Sequence, residues 1–115
     1  MELADQGVSE FRSQVDSEQY HAIYIGADDK FRRGSNETDF VALMQAVHRK
    51  LGKVQQPNLQ NSQVGWFVGE GSIVTLYYDT QFAEGRANEK FIWRVKDNRP
   101  ILVGYYINSN VLITK

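Results

Sequence analysis

Residues 40–52, FVALMQAVHRKLG, decide the architecture. Phe40, Leu43, Met44, Val47 and Leu51 recur at the spacing that lines one face of an α-helix. Ser35 is the expected N-cap, and Glu37 and Asp39 put negative charge in the first turn, where the helix dipole favours it. His48, Arg49 and Lys50 put positive charge in the last turn, and Gly52 is the expected C′ residue. Beyond Gly52 the apolar spacing changes from the helical period to alternation, the mark of a passage from helix to strand.

Downstream of that boundary the chain predicts four strands. The first lies between Lys53 and Val68 and carries Val54, Leu59, Val64, Trp66 and Val68. Pro57 cannot donate to a ladder and confines this segment to an edge or an irregular start. Gly69-Glu70-Gly71 reads as a hairpin connection. The second strand runs from Ile73 to Phe82, with Val74, Leu76, Tyr78 and Phe82 on its inner face. Glu84-Gly85-Arg86 turns the chain into a third strand, about Ala87 to Lys96, with Phe91, Trp93 and Val95 on one face. Asp97-Asn98-Arg99-Pro100 is turn chemistry. The last strand, Ile101 to about Ile107, is apolar on both faces, which predicts a central strand or one buried against a partner.

Upstream, Val8, Phe11 and Val15 predict a helix over roughly residues 5–15. Asp16 is the expected N-cap of a second, shorter helix, with Gln19 three residues on as in a capping box. Tyr20, Ile23, Tyr24 and Ala27 form its apolar stripe, and Gly26 with Asp28-Asp29 ends it. Arg32-Arg33 could bind an anion, but two adjacent arginines read first as a solvated loop. Three helices followed by four antiparallel strands is an α+β order, expected as one domain over residues 1–115 with the helices packed on a curved sheet. Ile73, Tyr77, Ile92, Ile101, Val103, Tyr105 and Ile107 cannot all face the helices, so apolar surface is left over for a cavity or a second subunit.

The composition sets the limits. The 115 residues are 42% hydrophobic and 23% charged, with six Phe, six Tyr and two Trp, enough apolar surface for a core. A net charge of −1 argues against a nucleic-acid surface, which carries a basic stripe. No cysteine is present, so thiolate chemistry and disulfides are excluded, and a zinc site would need both histidines plus carboxylates. No stretch reaches the roughly 18 apolar residues of a membrane span, and Met1-Glu2-Leu3-Ala4-Asp5-Gln6-Gly7 does not read as a signal peptide.

Candidate chemistry is sparse. His21 and His48 have no ligand spacing, and His48 suits a helix C-terminus. Asp79 stands mid-strand, where aspartate is disfavoured. Buried, it could serve as a general base, but its alternation with Tyr78 places it on the outer face, paired or solvated. Glu89, Lys90 and Arg94 on the third strand could pair across to Asp79 or Gln81. Trp66, Tyr78, Trp93 and Tyr106 either belong to the core, the favoured reading, or line a partly polar aromatic pocket, since buried Trp N–H and Tyr O–H groups need partners. Trp66, Tyr78, Asp79, Trp93 and Tyr106 are therefore the candidate pocket residues. No catalytic set, metal site or cofactor is expected.

The order helix, short helix, long helix, four-strand meander resembles the cystatin-like cone of the nuclear transport factor 2-like superfamily. It is similar in particular to small, often exported bacterial proteins of unknown function. The resemblance rests on Phe11, Val15-Asp16-Ser17 and Tyr20, on Phe40 to Gly52, on Val74-Thr75-Leu76-Tyr77-Tyr78-Asp79-Thr80, on Phe91-Ile92-Trp93-Arg94-Val95 and on Leu102 to Ser109. It implies a cone-shaped α+β domain and favours an exported, periplasmic or lipid-anchored protein. It implies no activity, because the superfamily holds enzymes, ligand binders and interaction modules alike. The expected function is a binding or interaction module that self-associates as a homodimer through the outer sheet face. The alternative is a carrier of a small apolar ligand, or an enzyme, using a cavity between helices and sheet.

Overall fold

Helix α1, Glu2–Asp16, turns Ala4, Gly7, Val8 and Phe11 inward. The computed structural model describes residues 2–69 and 71–109, so Glu70 of the expected hairpin connection lies outside the described residues. Asp16 belongs to α1 and is not the N-cap of α2. Helix α2, Tyr20–Gly26, starts at Gln19, whose side chain makes no capping bond. A further helix, α3, spans Asp29–Gly34, where a loop was expected. The Asp28 side chain accepts the backbone N–H of Lys30 at 3.0 Å and so caps its N-terminus. Arg32 is therefore no solvated loop residue. Its guanidinium donates to the carbonyls of Ile25 and Ala27 at the end of α2 and pairs with Asp29.

Helix α4, Glu37–Leu51, carries the expected stripe, with Phe40, Met44, Val47 and Leu51 buried and Leu43 exposed. Its N-cap is Asn36, one residue later than expected. The Asn36 side chain accepts the Asp39 N–H at 2.8 Å, while Ser35 closes α3 by bonding back to Phe31. Gly52 ends α4 with a φ of 78°, a left-handed value that glycine adopts without strain. The chain then crosses into the sheet, and the Glu84 N–H returns to the Leu51 carbonyl at 2.9 Å.

Strands β1 (Val54–Phe67), β2 (Gly71–Phe82), β3 (Gly85–Lys96) and β4 (Arg99–Asn108) form one open antiparallel sheet in sequence order. The helices precede the sheet, the α+β arrangement expected. The β3–β4 hairpin closes over Asp97 and Asn98, both at positive φ near 55–59°, as a two-residue turn demands. β1 and β4 are the edges. The edge position of β1 agrees with Pro57, but β4 is not central, although it is apolar on both faces. Its inner face is covered by α1 and α3, and its outer residues Ile101 and Val103 are half-buried.

One bulge shapes the core. Ile92 pairs with Gly104 and Trp93 with Leu102, so Val103 is an extra residue in β4. Leu102 and Tyr105, three apart, thus both point at the helices and are both buried. The core joins Phe11, Ile23, Phe31, Phe40, Met44, Leu76, Phe91, Trp93 and Tyr105. A second cluster of Val47, Leu51, Phe82 and Ala87 closes the end under α4.

Candidate functional site

Glu89 is the charged group most deeply enclosed by the sheet and α1. It sits on β3 with the same parity as Phe91 and Trp93, so the pleat turns it inward, and its side chain is 1% exposed. The Arg12 guanidinium, from α1, donates from Nη2 to Oε1 at 2.9 Å and from Nη1 to Oε2 at 3.4 Å. The Thr80 hydroxyl on β2 donates to Oε1 at 2.6 Å, and the Tyr105 hydroxyl on β4 donates to Oε2 at 2.6 Å. Arg12 also lies over the rings of Tyr78 and Phe91, its Cζ 5.4 Å from each centroid.

The electrostatics follow from this enclosure. Burial, then the Glu89 charge and the hydrogen bond to it, push the Tyr105 hydroxyl well above the usual tyrosine range, with Arg12 opposing. Burial also raises Tyr78, helped by Asp5, while Arg12 pulls the other way. Both phenols therefore stay protonated at neutral pH, and Tyr105 serves as a donor to Glu89. The space beside the cluster, bounded by Phe11, Arg12, Met44, Phe82 and Tyr105, has a volume of only about 20 Å³, room for one water. With four donors on its two oxygens, the Glu89 carboxylate is fully used. The arrangement anchors α1 to three strands at once, and no substrate-sized space adjoins it on the helix side.

Of the five residues expected to line a pocket, Tyr78 and Tyr106 border one cavity, of about 350 Å³, which Glu89 and Lys90 also border, while Trp93 and Asp79 line separate ones. Trp93 is buried at 4% exposure and packs parallel to Phe91. Tyr78 is half-buried beneath Arg12. Trp66 is 71% exposed, and Tyr106 is 58% exposed on the opposite face, against Lys90. Asp79 lies on the outer face, as its alternation predicted. It pairs with Arg86 at 2.6 Å, not with Glu89, Lys90 or Arg94. Glu89 points the other way, and Arg94 bonds Asp28 at 2.9 Å, joining the α3 cap to the sheet. His21 pairs with Glu37 in solvent.

Sequence reasoning missed the Glu89 cluster, yet the signal was present: Glu89 shares the alternation of two core aromatics. Among the described residues, no group of three or more His, Cys, Asp or Glu side chains could hold a metal, and no helix is long and apolar enough to cross a membrane.

A fold of helices on an open antiparallel sheet, with Glu89 held by Arg12, Thr80 and Tyr105, defines a small α+β protein. The chain belongs to a family described as "Protein of unknown function (DUF4019)", whose model matches residues 8–105. No curated protein matches it.

Proposed function

We propose that this protein is an interaction module that forms a two-fold dimer by pairing β1 with β1 of a second copy. The single observation that carries the proposal is the character of that edge. Across its 14 residues, VQQPNLQNSQVGWF, there is no charged side chain. Natural edge strands are normally guarded by charge, proline, bulges or a covering element; here Pro57 and two bulges, at Gln55 and Gln60, lie in the first half of the strand, and the stretch from Asn61 to Phe67 pairs in regular register. Leu59, Val64, Trp66 and Phe67 are all exposed large apolar residues on this one strand. Leu59, Val64 and Trp66 share the inner face of the sheet, since each opposes an inward or inner-face residue of β2. The helices cover β3 and β4 and stop short of them.

A second copy is the occupant that fits best. An isologous contact brings identical strands together antiparallel, and an uncharged strand meets no like charge when it meets itself. Pairing centred near Ser62 and Gln63 would continue the sheet to eight strands and bury the apolar inner side of both copies of β1. The outer face is the weaker interface: its apolar residues Ile73, Tyr77, Ile92, Ile101 and Val103 are already half-buried. The order of elements supports the likeness to the nuclear transport factor 2-like superfamily.

Sedimentation velocity over a concentration series tests this, with Val64→Lys and Tyr106→Lys compared. Val64 is 62% exposed, so lysine there should not disturb folding, and circular dichroism checks that. The expected result is a dimer that Val64→Lys dissociates and Tyr106→Lys leaves intact. A wild-type protein that stays monomeric at several hundred micromolar, or a dimer that survives Val64→Lys, would overturn the proposal.

A further inference from the structure

Away from β1, a cleft of about 270 Å³ opens between α1, α2 and the β3–β4 hairpin. Its walls combine Phe11, Ile23, Trp93 and Leu102, all buried, with Glu10 and Arg99, both exposed. Two observations single it out. Trp93, 4% exposed, gives it an aromatic wall, while the indole N–H itself is closed off in the core with no acceptor among the described residues. Glu10 and Arg99 line the same cleft with opposite charges, and neither is in an ion pair with a described residue.

We infer that this cleft binds a small zwitterion with an apolar side chain, of the size and chemistry of a single apolar amino acid. The volume lies just under the range of roughly 300–1,000 Å³ that holds drug-sized ligands, which limits the occupant to a small molecule. The aromatic and aliphatic walls take an apolar body. A carboxylate matches Arg99 and an ammonium matches Glu10. A purely apolar ligand would leave both charged groups unmatched, and a singly charged one would set its charge beside a like charge at the mouth. The inference is independent of the β1 dimer.

The experiment uses the full chain carrying Trp66→Phe, which leaves Trp93 as the single tryptophan and its fluorescence as the reporter. L-Phenylalanine and L-leucine are titrated, together with phenethylamine and phenylacetate, which each keep one charge of phenylalanine. Isothermal titration of the unmodified protein runs in parallel. Both amino acids should give a saturable change. Each singly charged analogue should bind about two- to fivefold more weakly than phenylalanine, the effect of one exposed charge pair. Arg99→Ala should weaken phenylalanine by a similar factor and leave phenethylamine unweakened, and Glu10→Ala should do the converse with phenylacetate. Absence of a saturable signal from either amino acid up to its solubility limit overturns the inference. So does equal affinity for phenylalanine and its two analogues, or indifference to both charge substitutions.

Discussion

Replacing Glu89 by glutamine removes one charge and almost no volume, so it isolates the electrostatics of the buried cluster. The carboxylate receives Arg12 twice, Thr80 and Tyr105. Glutamine keeps one acceptor oxygen and sets an N–H2 group against donors that still point at it. Thr80 is 0% and Tyr105 8% exposed, so neither hydroxyl can turn to water. An unsatisfied buried group costs about 1–3 kcal/mol, and breaking a buried ion pair from one side costs about 3–5 kcal/mol. Arg12, at 15% side-chain exposure, retains some escape to solvent, which places the expected loss near the lower end, about 3 kcal/mol. That is a large fraction of the roughly 5–15 kcal/mol that stabilises an ordinary domain. The assay is urea denaturation followed by circular dichroism, extended to a double-mutant cycle with Arg12→Met. The two losses should be non-additive by more than about 1 kcal/mol, because each substitution breaks the same contact. A Glu89→Gln protein within about 0.5 kcal/mol of wild type, or a cycle that adds, would refute the view that this cluster fastens α1 to the sheet.

Two further outcomes are expected. Burial alone would raise the Asp28 carboxyl, but the Lys30 N–H and the Arg94 guanidinium outweigh it and hold it below its ordinary value of 3.8. A depressed folded value means that its stabilisation is complete above the unfolded value, near pH 4, and is lost as pH falls through the folded one. Asp28→Asn should therefore lower stability at pH 7 and flatten the acid limb of a stability–pH curve; an unchanged acid limb would contradict this. In Gly7→Ala the new Cβ would stand 2.9 Å from two ring carbons of Trp93. The helix gains up to about 1 kcal/mol from losing glycine, but forcing a methyl against a packed indole costs about 1–3 kcal/mol. The net expectation is destabilisation, read as a lower thermal midpoint, and a raised midpoint would show that the ring yields.

Much of the fold was legible because period and punctuation agreed. The stripe from Phe40 to Leu51 and the alternation from Val74 onward leave few alternatives, and Asp97-Asn98 is turn chemistry of the kind the hairpin uses. The failures are local and have physical reasons. α3 is a single turn and a half, too short for a period, and the Asp28-Asp29 pair that announces a helix end equally announces a helix start. Asn36 and Ser35 are equivalent caps by residue type, and only the closing bond of α3 decides between them. The apolar character of β4 predicts a central strand or one buried against a partner; it is an edge, and helices on one side and a bulge at Val103 let it bury apolar residues. For the candidate site the limit is different. Alternation tells which side of a sheet a residue takes, not whether a helix reaches it. Trp93 and Trp66 both take the inner side, yet one is 4% and the other 71% exposed.

The link between Arg12 and Glu89 spans 77 residues. A ribosome adding about 5–20 residues per second completes α1 on the order of 4–15 s before the partners of Arg12 emerge. During that interval Val8 and Phe11 have no sheet to cover them, and the charge-free β1 leaves the tunnel before its neighbour β2. The order in which the chain is read thus gives the nascent protein its most adhesive surfaces first and their cover last, so the middle of synthesis is the period when they stand most open.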